Sequence, residues 1–566
     1  MVTTTRKRWV IAGKMPVDHN EVMAEYPEVL RQLLFNRKVF DPQIAKVYLE
    51  CSGSLHDPYL MKGMQAAVDR IWQAVRAQEK IAVYGDYDVD GVTATALLVQ
   101  FLRHMGGAVN GYIPNRFEEG YGLNNEAIDI LHQNGTSLIV TVDCGIRSPA
   151  EAAHAAELGM DIIITDHHEP REILPECVAV ICPKQQGCEY PEKNLAGVGI
   201  SYKVCEALTR KIGMPESDLE EYLDLVAVGT VADVVPLVGE NRSLVRMGLR
   251  QLQSCNRQGL FSLAGVAELN LTRATTRDIG FLLGPRLNAA GRLASPQAAL
   301  DLLTCRDSML SGQLAMELDQ QNRERQRQTQ AMQAIAEAQM AGESNNLILM
   351  AFNPEFHMGI IGLVASRLTE TYYRPSIVGY VGPDTVRASC RSIPEFHITH
   401  ALDKCADLLV RHGGHSMAAG FTVTHQNLPE LERRLREIAQ RELENRDLCP
   451  TLYADMEIPL DTLRYGDQVI QWIEKLEPTG LDNPAAVFVS RNCRVVRYKT
   501  VGKESNHLRL SLSAGGGMFD GIAFRQGHWA NQMPTAVDVL YCFERNDYNG
   551  GFQLNIRDLK PSGQPD

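Results

Sequence analysis

The sequence holds no uninterrupted apolar run near the ~20 residues a membrane-spanning helix needs, and its first residues, MVTTTRKRWVIAG, contain no signal-peptide core. A membrane protein is therefore not expected, and a cytoplasmic chain is. The 13 cysteines include no CxxC pair and no regular spacing. That argues against a zinc site and a disulfide framework, and for buried free thiols in a reducing compartment. A basic excess is missing as well: 56 Lys and Arg stand against 69 Asp and Glu, for a net charge of −13. Non-specific nucleic-acid binders usually carry a basic face. A cation site, however, needs acids that its ions then neutralise, and local basic patches survive within a negative total, so the charge alone excludes no partner. What is present is an ordinary globular composition, 45% hydrophobic and 22% charged, in 566 residues, enough for three or four domains.

The chain is organised around Ile81 to Thr93, IAVYGDYDVDGVT. A short apolar run reads as a buried strand, followed at once by Asp86, Asp88 and Asp90 and then by a helical segment, Val92 to Met105. Three carboxylates within five residues repel one another unless positive charge sits among them. Hard divalent cations want such ligands, although an exposed acidic turn would carry the same letters. From Lys80 onward, strand, loop and helix alternate, which predicts a parallel sheet with helices on both faces and a ligand site beyond the carboxyl ends of its strands. The run LIVTV ends at Asp143, and DIIIT ends at Asp166, His167 and His168. A lone Asp at a strand end is usually a helix cap. Three such ends, one with adjacent histidines, point to a metal centre. Asp233, set among Val231, Ala232, Val234 and Val235, is expected to be buried and to join it.

GDYDVDG, VDCG, TDHH and VADVVPL, in this order, resemble the successive motifs of the DHH phosphoesterase superfamily, named for the tandem found here at Asp166, His167 and His168. Where the pyrophosphatase branch opens its first motif with a histidine ligand, this chain has Tyr84, with Asp86 inside the loop. That resembles the RecJ branch of single-strand exonucleases. IGFLLGPRLNAAGRL, with Asn288 and Arg292, is similar to a segment of the same branch, and VRASCRSI and GGHSMAAGF are similar to the DHH-associated domain. In the latter, Gly413-Gly414 is expected to let backbone approach a ligand, with Ala418-Ala419-Gly420 opening a helix beside it.

The expected architecture is α/β: an N-terminal segment (1–50), a DHH parallel-sheet domain (51–305), a long connecting helix (306–341), a DHH-associated α/β domain (342–445) and an OB-type β-barrel (446–566). The barrel is read from alternating apolar and polar residues between glycine-rich turns. Arg491, Arg494, Arg497, Lys499 and Lys503, with Tyr498, Phe519 and Phe524, suit a single strand; a structural or partner-binding barrel is the alternative.

The resemblance implies two divalent cations, Mn²⁺ or Mg²⁺, with the histidine favouring Mn²⁺. Asp86 and Asp88 would serve one ion, Asp90, His167 and Asp233 the other, and Asp143, on the middle strand, would bridge them. His168 would lie beside the scissile phosphate, oriented by Asp166. Arg116, Ser389 and Arg391 match positions that hold a 5′-side phosphate, and Asn288, Arg292, Gly414 and His415 are further substrate-binding candidates. The implied activity is 5′-to-3′ hydrolysis of single-stranded DNA to mononucleotides in recombination and repair. Implied partners are single-strand-binding protein and recombination or mismatch-repair helicases, and the self-contained domains suggest a monomer. Two alternatives stand beside it. One is an oligonucleotide or cyclic-dinucleotide phosphodiesterase, which usually lacks the barrel. The other is a non-catalytic replication scaffold, which should have lost ligands.

Overall fold

The computed structural model describes residues 6–51, 53, 55–115, 119, 122–254, 256–293, 295–341, 346–502, 504–546 and 550–564; Arg116 and Lys503 lie outside the described residues. The described chain divides into two compact units. One joins residues 11–322 with 454–564, and the other joins the segment up to Val10 with residues 323–453.

In the first unit the apolar runs form a five-stranded sheet: β1 (Lys80–Gly85), β2 (Ala108–Tyr112), β3 (Thr136–Val142), β4 (Asp161–Thr165) and β5 (Ala179–Ile181). Its order is β2-β1-β3-β4-β5, and every pair is parallel. Crossover helices cover both faces, so the central strands have apolar residues on both sides. Gly85 pairs with Val142, Val142 with Thr165 and Thr165 with Ile181. This single row of partners ends four neighbouring strands level with one another, so the residues that follow leave the sheet side by side. The order reverses between β1 and β3, and that switch point is where such sheets open a ligand crevice.

Helix α1 (Val89–His104) begins inside the acidic motif, three residues before its predicted start. Asp88 is its N-cap, with Oδ1 accepting from the amides of Asp90 (2.9 Å) and Gly91 (3.1 Å). One acid of the motif thereby fixes the direction of the other two.

The C-terminal strands are β11 (Phe488–Val501), β12 (His507–Ala514), β13 (Gly517–Ala523), β14 (Ala536–Arg545) and β15 (Phe552–Pro561). They close a barrel in the order β11-β12-β13-β15-β14, with β14 returning to β11. It is antiparallel except for the β13–β15 contact. Its core is shared with the N-terminal segment. Met23, Leu30, Leu33, Leu34, Val39, Ala45 and Leu49 pack with Leu508, Leu510, Leu512, Val539 and Tyr541.

In the second unit, β6 (Leu349–Asn353), β7 (Ser376–Val381), β8 (Thr385–Arg391), β9 (Leu409–Gly414) and β10 (Ala418–Thr424) form a mixed sheet in the order β9-β10-β8-β7-β6. The helix expected to open at Ala418 is instead strand β10, antiparallel to β9 and β8. The physical reason is alternation: Ala419, Phe421 and Val423 send buried side chains into one core, which a helix starting there would scatter around its axis. The long helix runs from Ser308 to Gln339.

Candidate metal centre and strand-binding residues

The three carboxyl-terminal strand ends carry out what their register implies. Asp86, Asp143 and the Asp166-His167-His168 run leave β1, β3 and β4 at the same edge, and Asp233 arrives at the C-terminus of helix α2 (Leu223–Ala232). Donor atoms of Asp86, Asp88 and Asp143 lie within 4.8 Å of one another, as do those of Asp90, His167 and Asp233, and those of Asp143, His167 and His168. Asp143 thus stands between the two groups of acids. Its φ of +60°, and that of Val234 at +61° directly after Asp233, put two side-chain-bearing residues in the left-handed region at this edge.

Asp90 is gripped by the first turn of helix α3 (Gly197–Ile212). Its Oδ2 accepts from the Gly197 amide (2.6 Å) and its Oδ1 from the Val198 amide (2.8 Å). Position 197 must lack a side chain, because a Cβ there would lie 2.7 Å from Asp143 Cβ and 3.0 Å from Asp90 Oδ2. Asp166 is engaged by this chain rather than by the cluster. Oδ1 meets His168 Nδ1 (2.7 Å) and the His168 amide (3.0 Å), and Oδ2 accepts from the Ile146 amide (2.9 Å).

The electrostatics are those of a site short of positive charge. Burial, then the charges of Asp90, Asp88, Asp86 and Asp233, push the Asp143 carboxyl well above its ordinary range. Burial with Asp233 and Asp88 does the same to Asp90 against the two amides that hold it. Asp233, part-buried rather than fully buried, is raised to about 7 by burial and by Asp88. Burial and the neighbouring His168 lower His167 to about 3, so it is a neutral ligand-type imidazole. Burial would also lower His168, but the hydrogen bond and charge of Asp166 outweigh it and the value rises.

Three buried atoms complete the test of fit. His167 Nε2 stands 3.0 Å from Asp143 Oδ1 and 3.6 Å from Asp233 Oδ2, yet none of the three makes a hydrogen bond. Unpaired buried donors and acceptors of this kind are costly, whereas carboxylate oxygens with one imidazole nitrogen form a donor set suited to Mn²⁺ or Mg²⁺. The residues fit the cations.

A cleft of ≈ 250 Å³ adjoins the cluster, lined by Asp86, Tyr87, Asp88, His168, Asn288, Gly291 and Arg292. Asn288 and Arg292 reach it from one face of helix α4 (Gly284–Leu293), being one turn apart. Tyr84 takes no part. Its hydroxyl donates to the Gly122 carbonyl (3.0 Å), and its ring stacks on Tyr112, on the far layer of the sheet.

In the second unit, Ser389 and Arg391 share one face of β8, with Arg391 Nη1 donating to Ser389 Oγ (3.1 Å). Cys390 between them is buried in the opposite core, which accounts for its apolar character. Gly414 has φ +146°, and a Cβ there would fall 2.4 Å from the Ala418 carbonyl oxygen, so the β9–β10 hairpin itself requires glycine. The His415 amide donates to that carbonyl (2.8 Å), and the residue is exposed on the turn. On the barrel, Arg491 pairs with Glu457 and Asp538 at 3.2 Å each, a structural tie, while Tyr498 and Phe524 stay about half exposed.

The sequence reading passed over Gly197. Its signal was the run Leu195-Ala196-Gly197-Val198-Gly199, small residues opening a helix after the last strand.

Models of three families match the chain: the DHH family N-terminal domain over residues 80–230, the DHHA1 domain over 344–441 and the RecJ OB domain over 454–558. Among curated proteins, the single-stranded-DNA-specific exonuclease RecJ of Bacillus subtilis is 38% identical over 546 residues, 94% of this chain and 68% of the relative. Its namesake from Dickeya dadantii is 34% identical over 586 residues, 99% of this chain and 100% of the relative. Among solved structures, RecJ in complex with Mn²⁺ from Thermus thermophilus superposes with a TM-score of 0.85 at 30% identity, covering 99% of this chain and 80% of that one. A second, exonuclease RecJ bound to manganese, gives 0.60 at 35% identity over 69% of this chain and 98% of that one.

Proposed function

The chain belongs to the RecJ family of DHH phosphoesterases, and from that premise we propose that it is a metal-dependent exonuclease of single-stranded DNA, hydrolysing phosphodiesters from the 5′ end and releasing mononucleotides in recombination and repair. The observation that carries this reading is the convergence of five carboxylates and two imidazoles at one sheet edge, beside a cleft of ≈ 250 Å³.

Asp86 and Asp88 would hold one cation and Asp90, His167 and Asp233 the second, with Asp143 placed to serve both. When bound, the two cations supply the positive charge that stabilises the pentavalent transition state and ease deprotonation of the attacking water. The remaining work belongs to side chains. Asp166 fixes the His168 ring through Nδ1 and favours its charged form, in which Nε2 can donate to a phosphoryl or leaving oxygen from the cleft wall. Asn288 and Arg292 hold the phosphate against the acids. Ser389, Arg391, Gly414 and His415 are further strand-contact residues, as is Arg116, which lies outside the described residues. The twelve cysteines among the described residues are free of disulfides, which supports a reducing, cytoplasmic setting, and no helix among those residues is long and apolar enough to cross a membrane. The chain acts as a monomer, and single-strand-binding protein with repair helicases brings it to its substrate.

End-labelled single and double strands, blocked at either end and offered with Mn²⁺ or Mg²⁺, test the assignment. Mononucleotides should appear from the 5′ end of single strands alone. His168→Ala should cut the rate roughly 10²–10⁴-fold with Mn²⁺ binding retained, whereas Asp143→Ala should lose both. Cyclic dinucleotide as the sole substrate would move the chain to the small-substrate branch, and strand binding without hydrolysis would make it a scaffold.

A further inference from the structure

The metal centre draws acids from β1, β3 and β4, but a fourth strand, β5, ends level with them. Its outgoing loop, Cys182-Pro183-Lys184-Gln185, is tied down on every side. The Asp166 amide donates to the Ile181 carbonyl (3.0 Å), and Cys182 Sγ meets the His168 carbonyl oxygen (3.6 Å). Lys193 Nζ holds the Pro183 carbonyl (3.0 Å), and the buried Gln185 amide donates to the carbonyls of Val180 (2.7 Å) and Lys62 (3.3 Å). A backbone so pinned presents one side chain in a defined place, and that side chain is a lysine. Lys184 Nζ lies 3.3 Å from Glu169 Oε1, immediately after His168 in the chain. From the other flank, Arg147, which follows β3, donates through Nε to the Glu169 carbonyl (2.9 Å).

The partner of Lys184 is weak. The Glu169 side chain is 67% exposed and that of Lys184 22%. An ion pair with one well-solvated member is worth little and is readily exchanged for another anion. The loop that carries Lys184 also touches the site itself, through Cys182 Sγ at the carbonyl of His168, a residue that lines the cleft. Among mostly acidic side chains, a pinned, part-buried cation does not serve the binding of divalent ions, which it opposes. It serves an anion that arrives beside them.

We propose that Lys184, flanked by Arg147, is a phosphate-binding residue beside the metal centre, on the flank of the cleft where His168 stands. It exchanges Glu169 for a backbone phosphate of the strand next to His168. The proposal rests on the nuclease reading and extends it with a residue outside the DHH motifs. It also predicts a signature that a merely structural lysine lacks, since removing the charge should move cation and strand affinities in opposite directions.

The full-length chain and its Lys184→Gln, Lys184→Arg and Glu169→Gln variants would be compared in three measurements. Mn²⁺ affinity is read by calorimetry, single-strand affinity by anisotropy of a 3′-labelled oligonucleotide in chelator over a salt series, and hydrolysis with Mn²⁺ present. Lys184→Gln should bind Mn²⁺ about threefold to tenfold more tightly. It should bind the strand more weakly, with the slope of log K on log salt reduced by roughly 0.7, the value of one phosphate contact. Lys184→Arg should restore strand binding, and Glu169→Gln should tighten it. Wild-type strand affinity and slope in Lys184→Gln overturn the proposal, as does a parallel loss of Mn²⁺ and strand binding, which marks a structural role. Failure of the wild type to hydrolyse single strands sinks the nuclease reading instead, whatever the variants bind.

Discussion

At the scale of single residues, the site depends as much on an absent side chain as on those present. Gly197 lets helix α3 bring two amides onto Asp90 while Asp143 passes beside it. Gly197→Ala should displace both acids by a fraction of an ångström or more, and misplacement of about 1 Å can cost roughly 10²-fold in rate. Strand cleavage with Mn²⁺ should fall by that order while the melting temperature changes little; a fully active variant would show that the cluster repacks freely. The acids themselves were legible in the sequence because hard cations restrict the choice of ligand to a few residue types at strand ends. Gly197 was not, since its role is set by Asp143, more than fifty residues away in the chain.

Protonation belongs to the same scale. Asp233, raised to about 7 by burial and Asp88, binds its proton more tightly folded than unfolded. Its contribution therefore favours the fold at low pH and is lost as pH rises from the ordinary carboxylate range to about 7. His167, lowered to about 3 by burial and His168, acts in the opposite sense below the ordinary imidazole value, favouring the fold less as pH falls. Comparing wild type with Asp233→Asn in chelator separates the two. The variant's advantage in melting temperature should grow from about pH 4 to pH 7 and then level off, and a pH-independent difference would contradict the assignment. Mn²⁺, which competes with the same proton, should bind the wild type more tightly across that interval.

Among elements, the informative misreading is β10. Ala418, Ala419 and Gly420 carry too little side chain to display a period of either two or 3.6, so their strand character comes from β8, which pairs with them at Arg391, Cys390 and Ser389. The parallel sheet was easier, because long apolar strands between helices announce themselves locally. A second nonlocal feature is the loop 475–483, which joins barrel to catalytic sheet. Arg242, only 3% exposed, donates to the carbonyls of Leu476, Pro478, Lys475, Glu477 and Tyr48, and its guanidinium lies 4.1 Å from the centre of the Tyr48 ring. The amide of Leu237, four residues beyond Asp233, donates to the Leu481 carbonyl. Arg242→Met would strand several buried carbonyls at once and should destabilise the chain by about 3 kcal/mol or more. Urea unfolding reads this directly, and a loss below about 1 kcal/mol would mean that water replaces the guanidinium.

On the scale of the whole molecule, residues 11–50 and the C-terminal barrel share one body. The N-terminal segment has too few apolar residues for a core of its own, and its three helices, Val17–Val22, Glu28–Asn36 and Pro42–Glu50, find one on the barrel. Polar ties repeat the apolar ones. Arg37 pairs with Asp455 at 3.1 Å, Asn36 donates to the Asp455 carbonyl at 2.9 Å, and the Tyr48 hydroxyl donates to Asn483 at 2.6 Å. No local pattern could announce a contact that spans more than four hundred residues, which is why residues 1–50 carried no expected fold. The arrangement means that a cavity made near the start of the chain should loosen its end. Leu34, fully buried, shares a core with β12 and β14, so Leu34→Ala should cost about 2–5 kcal/mol. Hydrogen exchange locates the damage. Amides of β12 and β14 should lose protection while those of β1, β3 and β4, which belong to a separate apolar core, keep theirs. Equal loss in both sheets would instead mean that Arg242 and its loop couple barrel and catalytic domain into a single unfolding unit.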